Sequence, residues 1–270
     1  MIRAFHPFQS LLYGVIAVLA IVVHLVGTSA AHAAAEDGAR STPVFVKWSA
    51  GFDFSRGDYG LDKDTTLYYV PMSVTIDHQR FRAKIALPFL VSSGPTRIAT
   101  GDVVLDSGQE RGFGQLQVGG SYLFDPLAEG LPYVEVSTRV TAPTETRSAL
   151  GTGLWAVAIQ ADLFKSFGRL TPFLSGGRKF YIECGQCNER LTHRFYTSVG
   201  TSWTVTEAAS IGIAYDWLEA AREEASDSHE IVPYATYRLN QSWTIGPYAV
   251  LGLSDGSPDY GVGFSLSVRQ

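Results

Sequence analysis

Residues 260–268 read "YGVGFSLSV", and every second side chain of this stretch is apolar and large. The apolar positions are Val262, Phe264, Leu266 and Val268, and the positions between them hold only glycine and serine. Successive side chains of an extended chain point to opposite faces, so this alternation predicts a β-strand with one apolar face and one small, polar face.

The same period of two recurs along the chain beyond Ser41, where no sustained helical period is found. We count about twelve such segments of roughly 10 to 14 residues, the length that a tilted strand needs to cross a bilayer and about twice that of ordinary globular strands. They lie near residues 43–54, 66–77, 80–92, 114–125, 131–142, 153–165, 169–181, 192–205, 208–218, 230–239, 242–253 and 259–269.

The breaks between these segments alternate in length. Those at "DHQR", "DPLAEG", "SFG", "TE" and "NQ" are tight, whereas those around residues 55–65, 93–113, 143–152, 182–191, 219–229 and 254–258 are mostly longer and richer in charge, glycine and proline. Outer-membrane barrels have short periplasmic turns and longer outer loops. The sequence therefore predicts an all-β, antiparallel, up-and-down transmembrane barrel over residues 43–270. We call its two ends the tight-turn end (periplasmic) and the long-loop end (outer).

The two faces of the segments differ in charge. One face is apolar and almost uncharged, and a soluble barrel should show the reverse, so this face is expected to meet lipid. Trp203 and Trp243 near the tight-turn end, and Trp155, Trp217 and Tyr69 nearer the long-loop end, are predicted to form interfacial girdles. The candidate lumen-lining residues on the other face are Lys47, Asp53, Arg82, Lys84, Glu135, Arg139, Asp162, Arg194, Asp216 and Arg238.

Twelve strands should leave a narrow lumen unless a loop or the N-terminus fills it. Strand order brings Arg82 and Lys84 towards Glu135 and Arg139. Such charges either create a field across the passage that selects polar or amphipathic solutes, or neutralise one another and close the lumen. Both interpretations stay open at this point. The longest outer loop, residues 93–113, is the candidate for an inward-folding constriction.

The N-terminus has the layout of a secretory signal. Arg3 precedes an apolar run from Leu11 to Gly27, and "TSAAHAAA" then offers cleavage after Ala33 or Ala35. We assign residues 1–33 to the signal peptide and 34–42 to a short N-terminal segment; a retained membrane anchor is the alternative. The expected location is the cell outer membrane, with outer-membrane lipid and the assembly machinery as partners and a monomer as the working unit.

Several other functions find little support. The net charge of −5 speaks against nucleic-acid binding, and no motif for a nucleotide, haem or dinucleotide is present, so we expect no cofactor and no metal. A lipid-hydrolysing barrel enzyme would rely on His193, yet no G-x-S-x-G motif accompanies this histidine. We therefore predict a channel and not an enzyme, with a structural or plugged barrel, that hydrolase, and a soluble exported ligand-binding barrel as alternatives.

Two stretches resemble a known family: "GFGQLQVGGSYLF" at residues 112–124 and "YRLNQSWTIGPYAVLGLSDGSPDYGVGFSLSV" at residues 237–268. They are similar to the outer-membrane β-barrels grouped as transporters of the meta-pathway of phenol degradation. The resemblance implies a barrel that passes small organic solutes, often aromatic ones, and brings no catalytic residues. Gln115 stands where the family usually has an acid, and the chain ends in "SVRQ" where an aromatic terminus is typical.

The chain has only two cysteines, Cys184 and Cys187, in "IECGQCN" at residues 182–188. No βαβ pattern supports a redox couple of the thioredoxin kind, and a zinc site would need two further ligands where only His193 is near. In an oxidising compartment the pair is predicted to close a short disulfide at the tip of the fourth outer loop.

Mass spectrometry of the alkylated protein tests this disulfide. Because a closed bridge protects both sulfur atoms, we expect two alkyl groups to be added only after reduction. Alkylation of Cys184 and Cys187 without reductant would contradict the prediction.

Overall fold

A computed structural model describes residues 44–60, 62–94, 99–100, 103–104, 108–146, 150–182, 191–222 and 225–270. The predicted signal peptide, the segment 34–42 and the two cysteines lie outside these residues. In the described part of the chain, no helix has both the length and the apolarity needed to cross a membrane.

The described chain is almost entirely β-structure, in fifteen strands numbered in chain order. Their bounds are β1 Phe45–Gly57, β2 Thr65–His78, β3 Phe81–Gly94, β4 Ala99–Thr100, β5 Val103–Val104, β6 Gly108–Phe113, β7 Leu116–Phe124, β8 Tyr133–Ala142, β9 Trp155–Phe164, β10 Leu170–Ile182, β11 Arg194–Thr204, β12 Ala209–Leu218, β13 Ser228–Arg238, β14 Trp243–Gly252 and β15 Tyr260–Arg269.

All these strands except β4 and β5 form one closed antiparallel sheet. Each strand pairs with its neighbour in the chain, and β1 pairs with β15 from Lys47↔Arg269 to Arg56↔Tyr260, which closes the barrel. The strands β6 and β7 both pair with β3 and follow each other along it, so they act as one barrel strand and the barrel has twelve. The predicted up-and-down barrel is confirmed.

The fourth barrel strand differs from the prediction, which treated residues 93–113 as a loop. The described residues 108–113 form β6 and extend the wall beside β3. The register slips by one residue between Ile85↔Val118 and Phe89↔Phe113, so residues 114–115 form a bulge. A Cβ at Gly114 would come within 2.6 Å of Leu90 Cδ1, which explains why glycine occupies this close approach.

The connections alternate in length as predicted, except that 125–132 is slightly longer than the outer connections 58–64 and 253–259. Tight ones span residues 79–80, 125–132, 165–169, 205–208 and 239–242, and all lie at the same end of the barrel as both ends of the described chain. Val46 and Gln270 exchange both backbone hydrogen bonds at that end. The barrel wall is therefore hydrogen-bonded through its closing seam.

Large apolar side chains cover the outward face. Phe81 is 61% exposed, Ile211 54% and Val262 52%, values that a water-soluble protein would not tolerate over a whole barrel. Trp48, Trp203 and Trp243 lie on this face towards the tight-turn end. Tyr69 was wrongly assigned to an aromatic girdle: it points inward beside Asp53 and packs on a cluster of buried leucines.

The middle of the outward face offers a test of this orientation. Phe264 is the fifth residue of β15 and contacts Phe52 across the closing seam, with ring centroids 6.4 Å apart. An arginine placed near the bilayer midplane costs about 2–4 kcal/mol on the lipid face of a barrel. We expect Phe264→Arg to lower the free energy of unfolding by that amount in denaturant titrations with lipid vesicles. Ser265→Arg, on the adjacent inward-facing residue, is the matched control, and equal losses from both variants would contradict the assignment of faces.

Candidate functional site: the barrel lumen

The barrel encloses a cavity of about 690 Å³ in the half of the lumen nearer the long loops. Its wall combines charged and polar side chains, including Arg139 and Asp216, with an apolar patch around Leu67 and Leu90. The cavity is therefore amphipathic, in contrast to the outward face of the same strands.

All ten candidate residues lie on the inward-facing positions of their strands, as the register shows. Four of them line the cavity: Asp53, Arg139, Arg194 and Asp216. The other six, Lys47, Arg82, Lys84, Glu135, Asp162 and Arg238, occupy positions nearer the tight-turn end. Their role in passing a solute stays a prediction.

Arg82 belongs to a local ion-pair network. Its Nε donates to Asp77 Oδ1 at 2.7 Å, and its Nη1 donates to Glu135 Oε1 at 3.4 Å. Glu135 also accepts a hydrogen bond from the hydroxyl of Ser121. At this level of the lumen the charges neutralise one another, as one of the two interpretations of the charged face expected.

The charges around the cavity are instead separated. Asp53, Asp216 and Glu230 are on β1, β12 and β13, and Glu230 interacts electrostatically with both other acids. Asp53 accepts a hydrogen bond from Tyr248 Oη at 2.8 Å. Arg139, on β8, lies almost across the barrel from them by strand order. The cavity is thus polarised from one wall to the other.

Four inward-facing aromatic side chains extend over neighbouring strands on one part of the wall. A Cβ at Gly177 would fall 2.4 Å from Tyr196 Cζ, and the cross-strand partner of each such ring is a glycine that leaves room for it. The pairs are Phe173 with Gly200, Tyr196 with Gly177, Tyr234 with Gly212, and Tyr248 with Gly263. The rings therefore line the lumen without crossing it.

The described residues of the connection between β8 and β9, 143–146 and 150–154, include a part that packs inside the barrel, and we call them the inward segment. Leu150 is fully buried against the inward-facing Leu67 and Leu90. The constriction predicted for residues 93–113 is described only in part, as the end of β3, the short strands β4 and β5, and β6. The inward segment found in the described chain belongs to a different outer loop. The sequence did not reveal the inward position of Leu150. A loop residue is not part of a period-two pattern, so the sequence does not show which way its side chain points.

Gln115 holds this inward segment. It is only 4% exposed; its Nε2 donates to the Leu154 carbonyl at 3.2 Å, and its Oε1 accepts from Thr152 Oγ1 at 3.3 Å. An ionised acid, the usual residue of the resembled family at this position, has no hydrogen to donate to that carbonyl. The sequence departure thus coincides with a specific loop contact.

Described residues next to two other outer connections contact each other at the long-loop end. Leu154, Tyr181 and Ala221 belong to a second buried apolar cluster, and Thr192 donates its backbone N–H to the Ala221 carbonyl.

Sequence reasoning missed Lys179 and Glu230, both inward-facing and on the cavity wall. Lys179 directly follows Arg178, and with two consecutive cations the alternation pattern does not show which of them faces inward.

The alternative enzyme site gains no support from the geometry of His193. Its Nδ1 accepts the Tyr181 backbone N–H at 3.3 Å and its ring packs against Phe180. Within the described ranges, no serine hydroxyl or carboxylate is hydrogen-bonded to His193. Those ranges also hold no group of three or more metal-ligating side chains.

Comparison with known proteins bears on the fold. An outer membrane channel of the COG4313 group from Pseudomonas putida F1 matches over 87% of this chain and 99% of its own, with 16% identity and a TM-score of 0.67. The chain has the fold of that channel. A KdgM porin (9% identity, 82% of this chain and 97% of that one) has a TM-score of 0.46, and the CymD monoaromatic hydrocarbon channel (9% identity, 83% and 88%) has 0.45.

Only the first of these scores exceeds 0.5, so only that match bears on the fold. No protein-family model matches the chain, and no curated protein matches it either. The channel fold and the apolar outward face together identify an outer-membrane barrel, and the predicted location is confirmed.

The Gln115 contacts predict how the inward segment is held. Gln115→Leu keeps the side-chain volume but leaves the Leu154 carbonyl without its donor, a loss of about 1–3 kcal/mol. We expect faster hydrogen exchange at the amides of Gly153 and Leu154 while heat-modifiable migration of the barrel persists. Gln117→Leu, on the next inward-facing position of β7, is the matched control. Unchanged exchange in Gln115→Leu would show that other contacts hold the segment.

Proposed function

We propose that this protein is an outer-membrane channel for small organic solutes, aromatic ones among them, which pass through a narrow polar lumen. The observation that carries the proposal is the solvent-accessible charge inside the barrel. Lys84 and Arg139 point inward and are nevertheless exposed, so water reaches the charged wall. A barrel that served only as a membrane-embedded scaffold would have no need to hydrate such charges.

The shape of the cavity supports small solutes. At about 690 Å³ the cavity has the size of sites that hold single small molecules. Leu150 narrows it from one side, and the opposite wall keeps its charges. The passage is therefore suited to molecules that have both an apolar and a polar part.

The aromatic preference rests on the lining. Tyr196 and Tyr69 are on the cavity wall, and the ring of Tyr196 extends over Gly177, which leaves aromatic surface accessible from the cavity. Flat aromatic solutes stack on such rings with a gain of about 0.5–1.5 kcal/mol per ring pair. The resembled family also includes aromatic compounds in its implied solute range.

Conductance of the purified full chain in planar bilayers tests the channel function. We expect discrete single-channel steps in potassium chloride, with the current partly blocked by benzoate and less by cyclohexanecarboxylate, which has the same charge but no aromatic ring. Tyr196→Leu should reduce the difference between these two blockers. A complete absence of conductance with every solute would instead indicate a plugged or structural barrel.

Equal block by the two carboxylates, in a channel that conducts, would leave the channel function intact. That result would contradict the aromatic preference alone.

A further inference from the structure

One register row of the barrel contains six cations and no acid. The row follows cross-strand partners from β15 through β1, β2, β3, β7, β8, β9 and β10 to β11. Its members in that order are Arg269, Lys47, Thr75, Lys84, Gly119, Arg139, Ala158, Lys179 and Arg194. We call these six cations the basic row. The three residues between them, Thr75, Gly119 and Ala158, are small and uncharged.

The basic row rises through the whole lumen. Strands of a barrel are tilted, so a line of direct cross-strand partners climbs as it passes around the wall. Lys47 is the third residue of β1 from the tight-turn end, and Lys84 is the fourth of β3. Arg194 is the first residue of β11, at the long-loop end. The row therefore links both mouths of the barrel.

The central cations of the row have no acidic partner. In the described part of the chain, no carboxylate lies within salt-bridge distance of Lys47, Lys84 or Arg139. Lys84 instead experiences coulombic repulsion from Lys47, Arg82 and Arg139. Ionisable residues within membrane-spanning segments usually pair with opposite charges, and those that do not often mark the path of a substrate or ion.

Four of the inward acids occupy a separate row, whereas Asp53 lies outside it and Asp77 is held by Arg82. Glu135 pairs with Asp162, and the same line continues through Ser175 and Ser198 to Asp216 and Glu230. On β8 this acidic row lies four residues from Arg139, roughly 13 Å along the strand at about 3.3 Å per residue. That distance exceeds the Debye length of about 8 Å in physiological salt. An anion near the basic row is thus largely screened from the acidic one.

We propose that the basic row is a path for small organic anions, above all carboxylates and phenolates, through the channel function proposed above. Successive cations from Lys47 to Lys179 are two strands apart, about 10 Å, a step that flexible lysine and arginine side chains span from either side. Conduction needs several sites of moderate attraction and no single tight one. The basic row provides that arrangement, because small uncharged residues separate its central cations.

The test is the reversal potential of the full-length channel in a gradient of potassium chloride, and then of potassium benzoate. We expect anion selectivity in both salts. Lys84→Gln combined with Arg139→Gln should lower the anion-to-cation permeability ratio by about threefold or more, since two of the row's charges are removed. Heat-modifiable migration checks that the variants fold.

Arg178→Gln is the matched control, because it removes a cation of β10 that faces outward and packs on the ring of Phe195. It should leave the ratio unchanged. A conducting channel that prefers cations, or whose selectivity the double variant does not alter, would overturn the anion path while the channel function stands. No conductance at all would overturn both proposals.

Discussion

The structure depends on one requirement, that every backbone donor and acceptor within the hydrocarbon be paired inside the protein. A sheet meets it only by closing, and here β1 closes on β15 through ten consecutive partner pairs. Closure then fixes, for every strand, which residues face lipid and which face the lumen. A slip of one residue at the seam would place the outward-facing Phe264 opposite an inward-facing residue of β1 such as Asp53, so either Phe264 would turn into the lumen or Asp53 into lipid. The apolar band and the register therefore support each other.

The same register decides which inward charges meet. Arg82 reaches Asp77 and Glu135 because β2, β3, β7 and β8 are successive neighbours, and this part of the wall is neutralised. Two residues further along β3, Lys84 is repelled by Lys47, Arg82 and Arg139 and forms no ion pair with a described carboxylate. The choice between a neutralised and a polarised lumen is therefore not made once for the protein. It changes with height, because tilted strands bring a different set of partners together at each level.

The period of two in "YGVGFSLSV" and its counterparts was sufficient to predict the strands, their faces and the alternation of turns. These features depend on side chains that point alternately to lipid and to the lumen. Each strand therefore shows the pattern in its own sequence. The position of Leu150 depends on contacts with β2 and β3, and that of Gln115 on a carbonyl 39 residues away. The assignment of Tyr69 to a girdle was wrong for a related reason. An aromatic side chain near a strand end suits an interfacial girdle and a lumen wall equally well, and only the pairing with Asp53 shows that Tyr69 faces the lumen.

The apolar contact inside the lumen and the charged rows are compatible because they occupy different walls. Leu150 packs on Leu67 and Leu90, which belong to β2 and β3, whereas the charges at the same cavity come from β1 and from the strands between β8 and β13. The inward segment narrows the passage without covering those charges. A solute that passes the constriction then has leucine on one side and arginine or carboxylate on the other. Under the proposed channel function, a molecule with an apolar body and one charged group would contact both walls favourably, whereas a simple hydrated ion would interact favourably with the charged wall alone. The asymmetry of the constriction is thus the physical reason for proposing amphipathic organic ions as solutes.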